Sequence, residues 1–253
     1  MTAETAVQVL LSLTPDQLRT VLAGDPARAA PWVRAAAVCG LTEGQVRYGR
    51  MLLEGQGVAQ DPEAALDWFR RAAAAGDPEG QNMLGRCLEN GWGAGVDLEE
   101  AAHWFARAAE AGHAWAQYNL GHLYLNGHGV PRAPETALAW YRRAGDQGHA
   151  RAMNLVARCL EQGWGAPADP EAARAWYVRS ADGGYFRGQY NLASLLVVEG
   201  RVHEAAQWFE RALAGAPPAS RQTMARTLAD ATQPAIRAGG QSVLAATSEP
   251  ARC

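Results

Sequence analysis

Apolar side chains recur along this chain at the spacing of amphipathic helices. Between residues 62 and 75, the positions i, i+3, i+4, i+7 and i+8 are occupied by Ala65, Trp68, Phe69, Ala72 and Ala73. This spacing places them on one face of a helix, with charged residues between them. The pattern predicts a helix that packs through a single apolar face.

Turn signals divide the chain into alternating helices. Gly127 and Gly129 end an apolar-periodic stretch, and glycine tolerates the left-handed conformation in which helices commonly stop. The pairs Asp61–Pro62 and Asp169–Pro170 precede other periodic stretches. Aspartate is a favoured N-cap and proline suits the first helical position. The sequence therefore predicts repeated helix–loop–helix units.

The units follow a fixed step of 36 residues, which is typical of stacked helical repeats. Tryptophan shows it most clearly, at 32, 68, 104, 140 and 176, and alanine and glycine keep the same step. We predict that Trp68, Trp104, Trp140, Trp176 and Trp208 belong to the core. The predicted organisation is an N-terminal cap with a degenerate repeat over 1–44, four repeats over 45–80, 81–116, 117–152 and 153–188, a shortened repeat over 189–215, a capping helix over 216–232 and a disordered tail over 233–253.

Two motifs carry a family resemblance. The stretches LGHLYLNGHGV (120–130) and ETALAWYRRAGDQGHA (135–150) resemble the Sel1-like repeat, a relative of the tetratricopeptide repeat. The resemblance covers about residues 25–213. It implies an all-α, right-handed superhelical solenoid of about six hairpins that works as a non-catalytic scaffold or adaptor for a protein or peptide partner.

Composition narrows the choice of partners and compartment. The net charge of −3 is too small to indicate nucleic acid or an anionic membrane surface as the partner, and we expect neither nucleic acid binding nor membrane insertion. No stretch approaches the roughly 18 apolar residues that span a bilayer. Four scattered cysteines, at 39, 87, 159 and 253, suit a reducing compartment. We expect a cytoplasmic protein, monomeric by default.

No residue pattern predicts chemistry. The six histidines and four cysteines contain neither a C-x-x-C nor an H-x-x-x-H pair, so tetrahedral metal spacing is missing. Cys87 and Cys159 occupy the same slot two repeats apart and are expected to be buried fillers. We predict no catalytic site, no metal and no cofactor.

The family resemblance also implies a binding groove, because the first helices of tetratricopeptide-like units line a concave face. Arginines, amides and aromatic rings would allow it to hold an extended peptide. The competing hypothesis is a solvated face whose arginines pair locally, as Arg86 with Glu89 or Arg158 with Glu161. The predicted groove residues are Arg47, Arg50, Asn82, Arg86, Trp115, Tyr118, Asn119, His122, Arg151, Asn154, Arg158, Arg187, Tyr190 and Asn191.

The loops between the helices are an alternative candidate for the binding surface. The stretches RCLENGWGA (86–94) and RCLEQGWGA (158–166) place Trp92 and Trp164 between two turn glycines. Each tryptophan either anchors a partner or packs over the neighbouring hairpin; we favour packing. The alternative function is an accessory or regulatory subunit that docks an enzyme through its convex or loop surface. Some bacterial proteins that resemble this chain are encoded beside iron-uptake receptors, which links this alternative to iron uptake.

Overall fold

The chain folds into helices joined by short turns. A computed structural model describes residues 3–12 and 14–248, and this part of the chain contains fifteen α-helices and no strand. It divides into two units, Met1–Arg132 and Ala133–Cys253. The helices of unit 1 are α1 (Ala3–Leu11), α2 (Pro15–Ala23), α3 (Pro26–Val38), α4 (Thr42–Glu54), α5 (Pro62–Ala74), α6 (Pro78–Asn90), α7 (Leu98–Glu110) and α8 (Ala114–Asn126).

Unit 2 continues the same alternation of first and second helices. Within each unit, successive helices from α2 onward pack against each other, as expected for an all-α solenoid of tandem hairpins, and α1 packs against α3. No described helix combines the length and the apolarity that a bilayer crossing requires. The helices of unit 2 are α9 (Pro134–Asp146), α10 (Ala150–Gln162), α11 (Pro170–Asp182), α12 (Phe186–Val198), α13 (Val202–Gly215), α14 (Pro218–Ala229) and α15 (Pro234–Ser248).

Side-chain caps fix where most helices begin. The predicted N-caps Asp61 and Asp169 are confirmed, since each accepts a hydrogen bond from the backbone N–H three residues later, at 2.9 Å. Asp77 caps α6 in the same way. His113 and His149 take this role for α8 and α10, with Nδ1 as the acceptor. These caps satisfy N–H groups that a helix cannot pair internally.

The observed starts also shift the repeat boundaries. The first helices begin at Thr42, Pro78, Ala114, Ala150 and Phe186, three residues before the predicted starts of the corresponding units. The tryptophan series defines the step between repeats but not the residue at which a repeat begins. Side-chain caps mark that residue for α6, α8 and α10, whereas α4 and α12 begin without one.

The core of each hairpin contains an aromatic ring from the second helix, but it is not the ring that the sequence predicted. Phe69, Phe105, Tyr141 and Tyr177 are fully buried, whereas the tryptophan immediately before each of them is only half-buried. Adjacent residues of a helix point about 100° apart, so the phenylalanine or tyrosine takes the centre of the core and the tryptophan lies at its edge. Trp176 and Trp208 pack there against the buried cluster of unit 2. The prediction that the tryptophans form the core is therefore wrong for the fully buried core, which the adjacent Phe or Tyr occupies.

Each of these tryptophans is covered by arginine. In α5, the guanidinium of Arg71 lies 4.6 Å from the ring centroid of Trp68. The same pair, three residues apart, recurs in every later second helix, which points to a cation–π contact on the partly exposed side of the ring. The other pairs are Trp104–Arg107 at 5.2 Å, Trp140–Arg143 at 4.7 Å, Trp176–Arg179 at 3.9 Å and Trp208–Arg211 at 4.6 Å.

A row of buried glutamines, which the sequence analysis missed, joins consecutive repeats. The Nε2 group of Gln117 donates to the backbone carbonyl of Ala109, at 3.1 Å, across the turn between α7 and α8. Gln45, Gln81 and Gln189 make the equivalent bond. The spacing of 36 residues between Gln45, Gln81 and Gln117 was the available signal. Each of these carbonyls also accepts the N–H of a turn glycine, as Ala109 does from Gly112, so the glutamine adds a second bond that ties the start of one helix to the end of the preceding one.

The C-terminal region is helical where the sequence predicted disorder. Helix α15 covers Pro234–Ser248, and Ile236, Val243 and Leu244 join the apolar cluster of unit 2. Because this segment is rich in alanine and glycine, its sequence did not indicate the apolar face that packs against this cluster. The prediction of a disordered tail from residue 233 is therefore wrong for 234–248, and 249–253 lie outside the described residues.

The glycine-flanked turns bring one repeat onto the next. Gly93, after α6, has a φ of +76°, and a Cβ there would lie 2.1 Å from the carbonyl oxygen of Pro62, at the start of α5. A side chain there is disfavoured by the conformation and excluded by the neighbouring backbone. The equivalent contacts are Gly57 with Pro26, Gly129 with Leu98 and Gly165 with Pro134.

Replacing Gly93 with alanine should destabilise the protein far more than the backbone conformation alone explains. Gly76 is a matched control, since its φ is +86° and a Cβ there would have no heavy atom within 4 Å. We expect Gly76→Ala to cost about 1–2 kcal/mol and Gly93→Ala about 3 kcal/mol, measured by urea unfolding. Equal losses would show that the close contact with Pro62 has no energetic weight.

Candidate groove site

The predicted groove residues of unit 2 converge on one cavity. Five of them, Asn154, Arg158, Arg187, Tyr190 and Asn191, lie on α10 and α12. The cavity has a volume of about 520 Å³. Helix α14, which the sequence predicted only as a cap, completes its wall. The other lining residues are Phe186, Ala219, Ser220, Thr223 and Met224.

The cavity has a positive side without counter-charge. Arg158 and Arg187 are exposed, and none of the lining residues is acidic. Within the described part of the chain, neither arginine has a carboxylate within 4 Å. Glu161, the predicted local partner of Arg158, instead accepts a hydrogen bond from the hydroxyl of Tyr177, at 3.0 Å.

Arg158 contacts the loop tryptophan of its own hairpin. Its guanidinium lies 5.6 Å from the ring centroid of Trp164, which is half-buried. A guanidinium that stacks on an aromatic ring keeps its N–H groups free in the plane of the stack. Trp164 therefore holds Arg158 at the cavity without consuming its hydrogen-bond donors.

Two asparagines connect the first helices that line the cavity. The Nδ2 group of Asn191 donates to Oδ1 of Asn154, at 2.8 Å. Asn154 is only 3% exposed, so its main role is to support Asn191 rather than to face a partner. The amide of Asn191 keeps its own oxygen and a second N–H for other contacts.

Unit 1 contains the same arrangement two repeats earlier. Asn119 donates to the buried Asn82, at 3.0 Å, and the guanidinium of Arg86 lies 5.3 Å from the ring centroid of Trp92. We define two groove elements. Groove element 1 consists of Asn82, Arg86, Trp92, Trp115, Tyr118 and Asn119, and groove element 2 consists of Asn154, Arg158, Trp164, Arg187, Tyr190 and Asn191.

The asparagine bonds were missed because their partners are 37 residues apart, one residue away from the repeat step. A comparison of equivalent positions alone does not align them. The signal was the recurrence of the pair at 82 and 119 and again at 154 and 191.

The two elements differ at one position of the first helix. Element 1 has Trp115, 42% exposed, where element 2 has Arg187. The ring of Trp115 meets Tyr118 edge-on at 6.0 Å, and Tyr118 stacks on His122 at 5.9 Å. Element 1 therefore presents a row of aromatic rings along α8.

The remaining predicted groove residues have contacts of their own. Arg47 donates to the carbonyl of Leu22, and Arg50 forms an ion pair with Glu79 on the next first helix. Arg151 lies over the ring of Tyr185, at 5.7 Å. These three arginines are thus partly satisfied by contacts within the protein itself.

Burial raises the pKa of several ionisable groups near these elements, which is the opposite of the change that activates a nucleophile. Burial raises the pKa of the thiols of Cys87 and Cys159 to about 11, so both are uncharged fillers, as predicted. Burial also raises the pKa of Glu89, against the lowering effect of Arg86. The described residues contain no group of three side chains that could hold a metal ion.

Sequence comparison places this arrangement in a known family. The sequence model of the Sel1 repeat matches residues 42–77, 78–113, 116–149 and 150–185, more than half of the chain. The chain belongs to the Sel1 repeat family. Proteins with Sel1 repeats are generally protein-interaction scaffolds and typically non-catalytic. No curated protein sequence matches the chain.

Solved structures share the Sel1 repeat fold. A Sel1 repeat protein from Oxalobacter formigenes is 24% identical, with coverage of 97% of this chain and 100% of that one and a TM-score of 0.75. The protective antigen c5321 of uropathogenic Escherichia coli, which displays an SLR fold, is 24% identical over 98% of this chain, with a TM-score of 0.70. This chain spans about half, 53%, of that protein.

A more distant structure has a different described role. The immunity protein Pa5087 of Pseudomonas aeruginosa is 14% identical, with 81% of each chain covered and a TM-score of 0.53. At these identities the likeness concerns the fold alone.

A polar network in unit 1 joins three consecutive Sel1 first helices, and the sequence analysis missed it. The Nδ1 atom of His113 accepts from the N–H of Ala116, so Nε2 carries the ring proton and donates to Glu79, at 2.6 Å. Glu79 also pairs with Arg50. Burial lowers the pKa of His113, and the charge of Arg50 lowers it further, whereas Asp77 raises it.

The neutral form of His113 should make the stability of unit 1 depend on pH. Because its pKa is lower in the folded than in the unfolded chain, the folded state binds fewer protons. The stability is present above about pH 6.5, the ordinary histidine pKa, and is lost as the pH falls below it. Thermal unfolding of wild type and His113→Asn between pH 7.5 and 5.5 measures this loss.

Asparagine is a good N-cap that does not titrate in this range, so His113→Asn should lose less stability than wild type on acidification. His203→Asn, at an exposed histidine of α13, controls for the general effect of removing an imidazole. A pH profile of His113→Asn that coincides with wild type would rule out the titration of His113 as the cause.

Proposed function

We propose that this Sel1 repeat protein is a non-catalytic interaction scaffold that binds a peptide segment of a protein partner in its first-helix groove. The observation that carries the proposal is the cavity of unit 2, onto which five predicted groove residues converge. Its volume of about 520 Å³ lies within the range of ligand sites, about 300–1,000 Å³.

The chemistry of the cavity supports a peptide as the occupant. Asn191 offers amide groups that can pair with a peptide backbone, and Arg158 offers charge-assisted hydrogen bonds to carboxylates. Phe186, Tyr190 and Met224 supply apolar surface. Because Asn154 and Trp164 already hold two of these groups in place, little side-chain entropy is lost when a partner binds.

The loop tryptophans are less suited to act as partner anchors. Both are half-buried, and each already has an arginine over its ring. Their contacts support the groove arginines instead. Among the described residues, no contact favours an accessory subunit of an iron-uptake system. The free thiols of Cys39, Cys87 and Cys159 support our proposal of a cytoplasmic location.

Reversal of the groove charge should abolish partner binding. We expect the Arg86→Glu/Arg158→Glu variant to recover at least tenfold less partner than wild type in affinity capture from a native lysate, quantified by mass spectrometry. The reason is that each change removes a charge-assisted donor and places a carboxylate in the groove.

The matched control is the Arg71→Glu/Arg143→Glu variant. It makes the same charge change and also removes two guanidiniums from tryptophan rings, but on the second helices. The control should retain the partner. The groove would be excluded as the binding surface by equal recovery with wild type and the groove variant, or by equal loss with the groove variant and the control.

A further inference from the structure

The two groove elements share a frame and differ in one decisive position. In both elements, a buried asparagine holds a second one on the next first helix, and an arginine lies over a loop tryptophan. Tyr118 and Tyr190 occupy equivalent places. The position that follows the start of the next first helix is Trp115 in element 1 and Arg187 in element 2.

Element 2 has the chemistry of an anion site with an apolar side. Arg158 and Arg187 line the same cavity, and no carboxylate lines it. Two uncompensated guanidiniums in one concave site attract a carboxylate, and each can bind it through two N–H groups. Tyr190 and Met224 leave room for an apolar side chain beside the charged one.

Element 1 has fewer uncompensated donors and more aromatic surface. Arg86 is half-buried, with a contact of 3.6 Å from its guanidinium to Sδ of Met83. The neighbouring Arg50 is neutralised by Glu79. The exposed ring of Trp115 continues into Tyr118, so a further aromatic ring can pack edge-on or offset against this row.

We infer that the residue at position 115 or 187 determines what each groove element selects. Element 2, with Arg187, binds an acidic residue that lies beside an apolar one in the partner. Element 1, with Trp115, binds a neutral aromatic residue. This inference rests on the proposed function, because it names the peptide chemistry that the same groove recognises.

Exchange of the two residues tests the inference on the full chain. The probe is an immobilised positional-scanning library of octapeptides, with bound protein detected by a fluorescent label. Arg86→Glu disables element 1 and isolates the preference of element 2, and Arg158→Glu does the reverse. Arg187→Trp is then added to the first variant and Trp115→Arg to the second.

The expected results are specific to each element. Arg86→Glu should retain peptides with aspartate or glutamate beside an apolar residue at least tenfold better than their amide counterparts, and this preference should weaken at higher salt. Addition of Arg187→Trp should remove the acidic preference and introduce an aromatic one. Arg158→Glu should prefer aromatic residues, and addition of Trp115→Arg should give it an acidic preference.

Failure of the inference is distinguishable from failure of the proposed function. Retention of peptides with the same preferences before and after the exchange would overturn the inference alone. If wild type retains no peptide at all, both the inference and the proposed function are contradicted. Arg187→Gln is a milder second variant that removes the charge without adding a ring. It should lose the acidic preference even if Arg187→Trp does not fold, and unchanged selectivity in Arg187→Gln would overturn the inference.

Discussion

The stacking of this protein depends on an approach of backbone to backbone that only glycine permits. At Gly93 the turn after a first helix touches the start of the preceding second helix, and a Cβ would come within 2.1 Å of a carbonyl oxygen. Such a contact leaves almost no freedom in the distance between neighbouring hairpins. Interactions that need sub-ångström placement across repeats, such as the bonds of Asn119 and Asn191, become possible as a result.

Features with a local cause were predictable from the sequence. Asp61 and Asp169 cap helices because the carboxylate of an aspartate can accept a backbone N–H of the first turn and the following proline suits the first helical position. The repeat step of 36 residues follows from the equivalent packing of each hairpin. Which of two adjacent aromatic residues enters the core could not be predicted from the local sequence. Whether Trp68 or Phe69 enters the core depends on the rotation of the helix, which the neighbouring helices set.

The candidate site was predictable in its residues but not in its contacts. The position of Arg158 on a first-helix face follows from periodicity, and the resemblance placed that face in the groove. Periodicity could not predict which residue the guanidinium of Arg158 contacts, because Glu161 and Trp164 are both within reach of its long side chain. Glu161 is engaged by Tyr177 from the next helix, which leaves the tryptophan ring for Arg158. Part of the cavity wall comes from α14, which lies in a region where the 36-residue pattern is no longer recognisable, so the sequence did not predict it.

The asparagine bonds give the array a unit cell of two repeats. Removal of one 36-residue repeat between Asn82 and Asn119 would bring Leu155 to the place of Asn119, and a buried amide would lose its donor. Removal of 72 residues would bring Asn191 there instead and restore the pair. In this chain, the loss or gain of a pair of hairpins at this point therefore preserves the asparagine bond, while a change by a single hairpin leaves an unsatisfied amide at the junction.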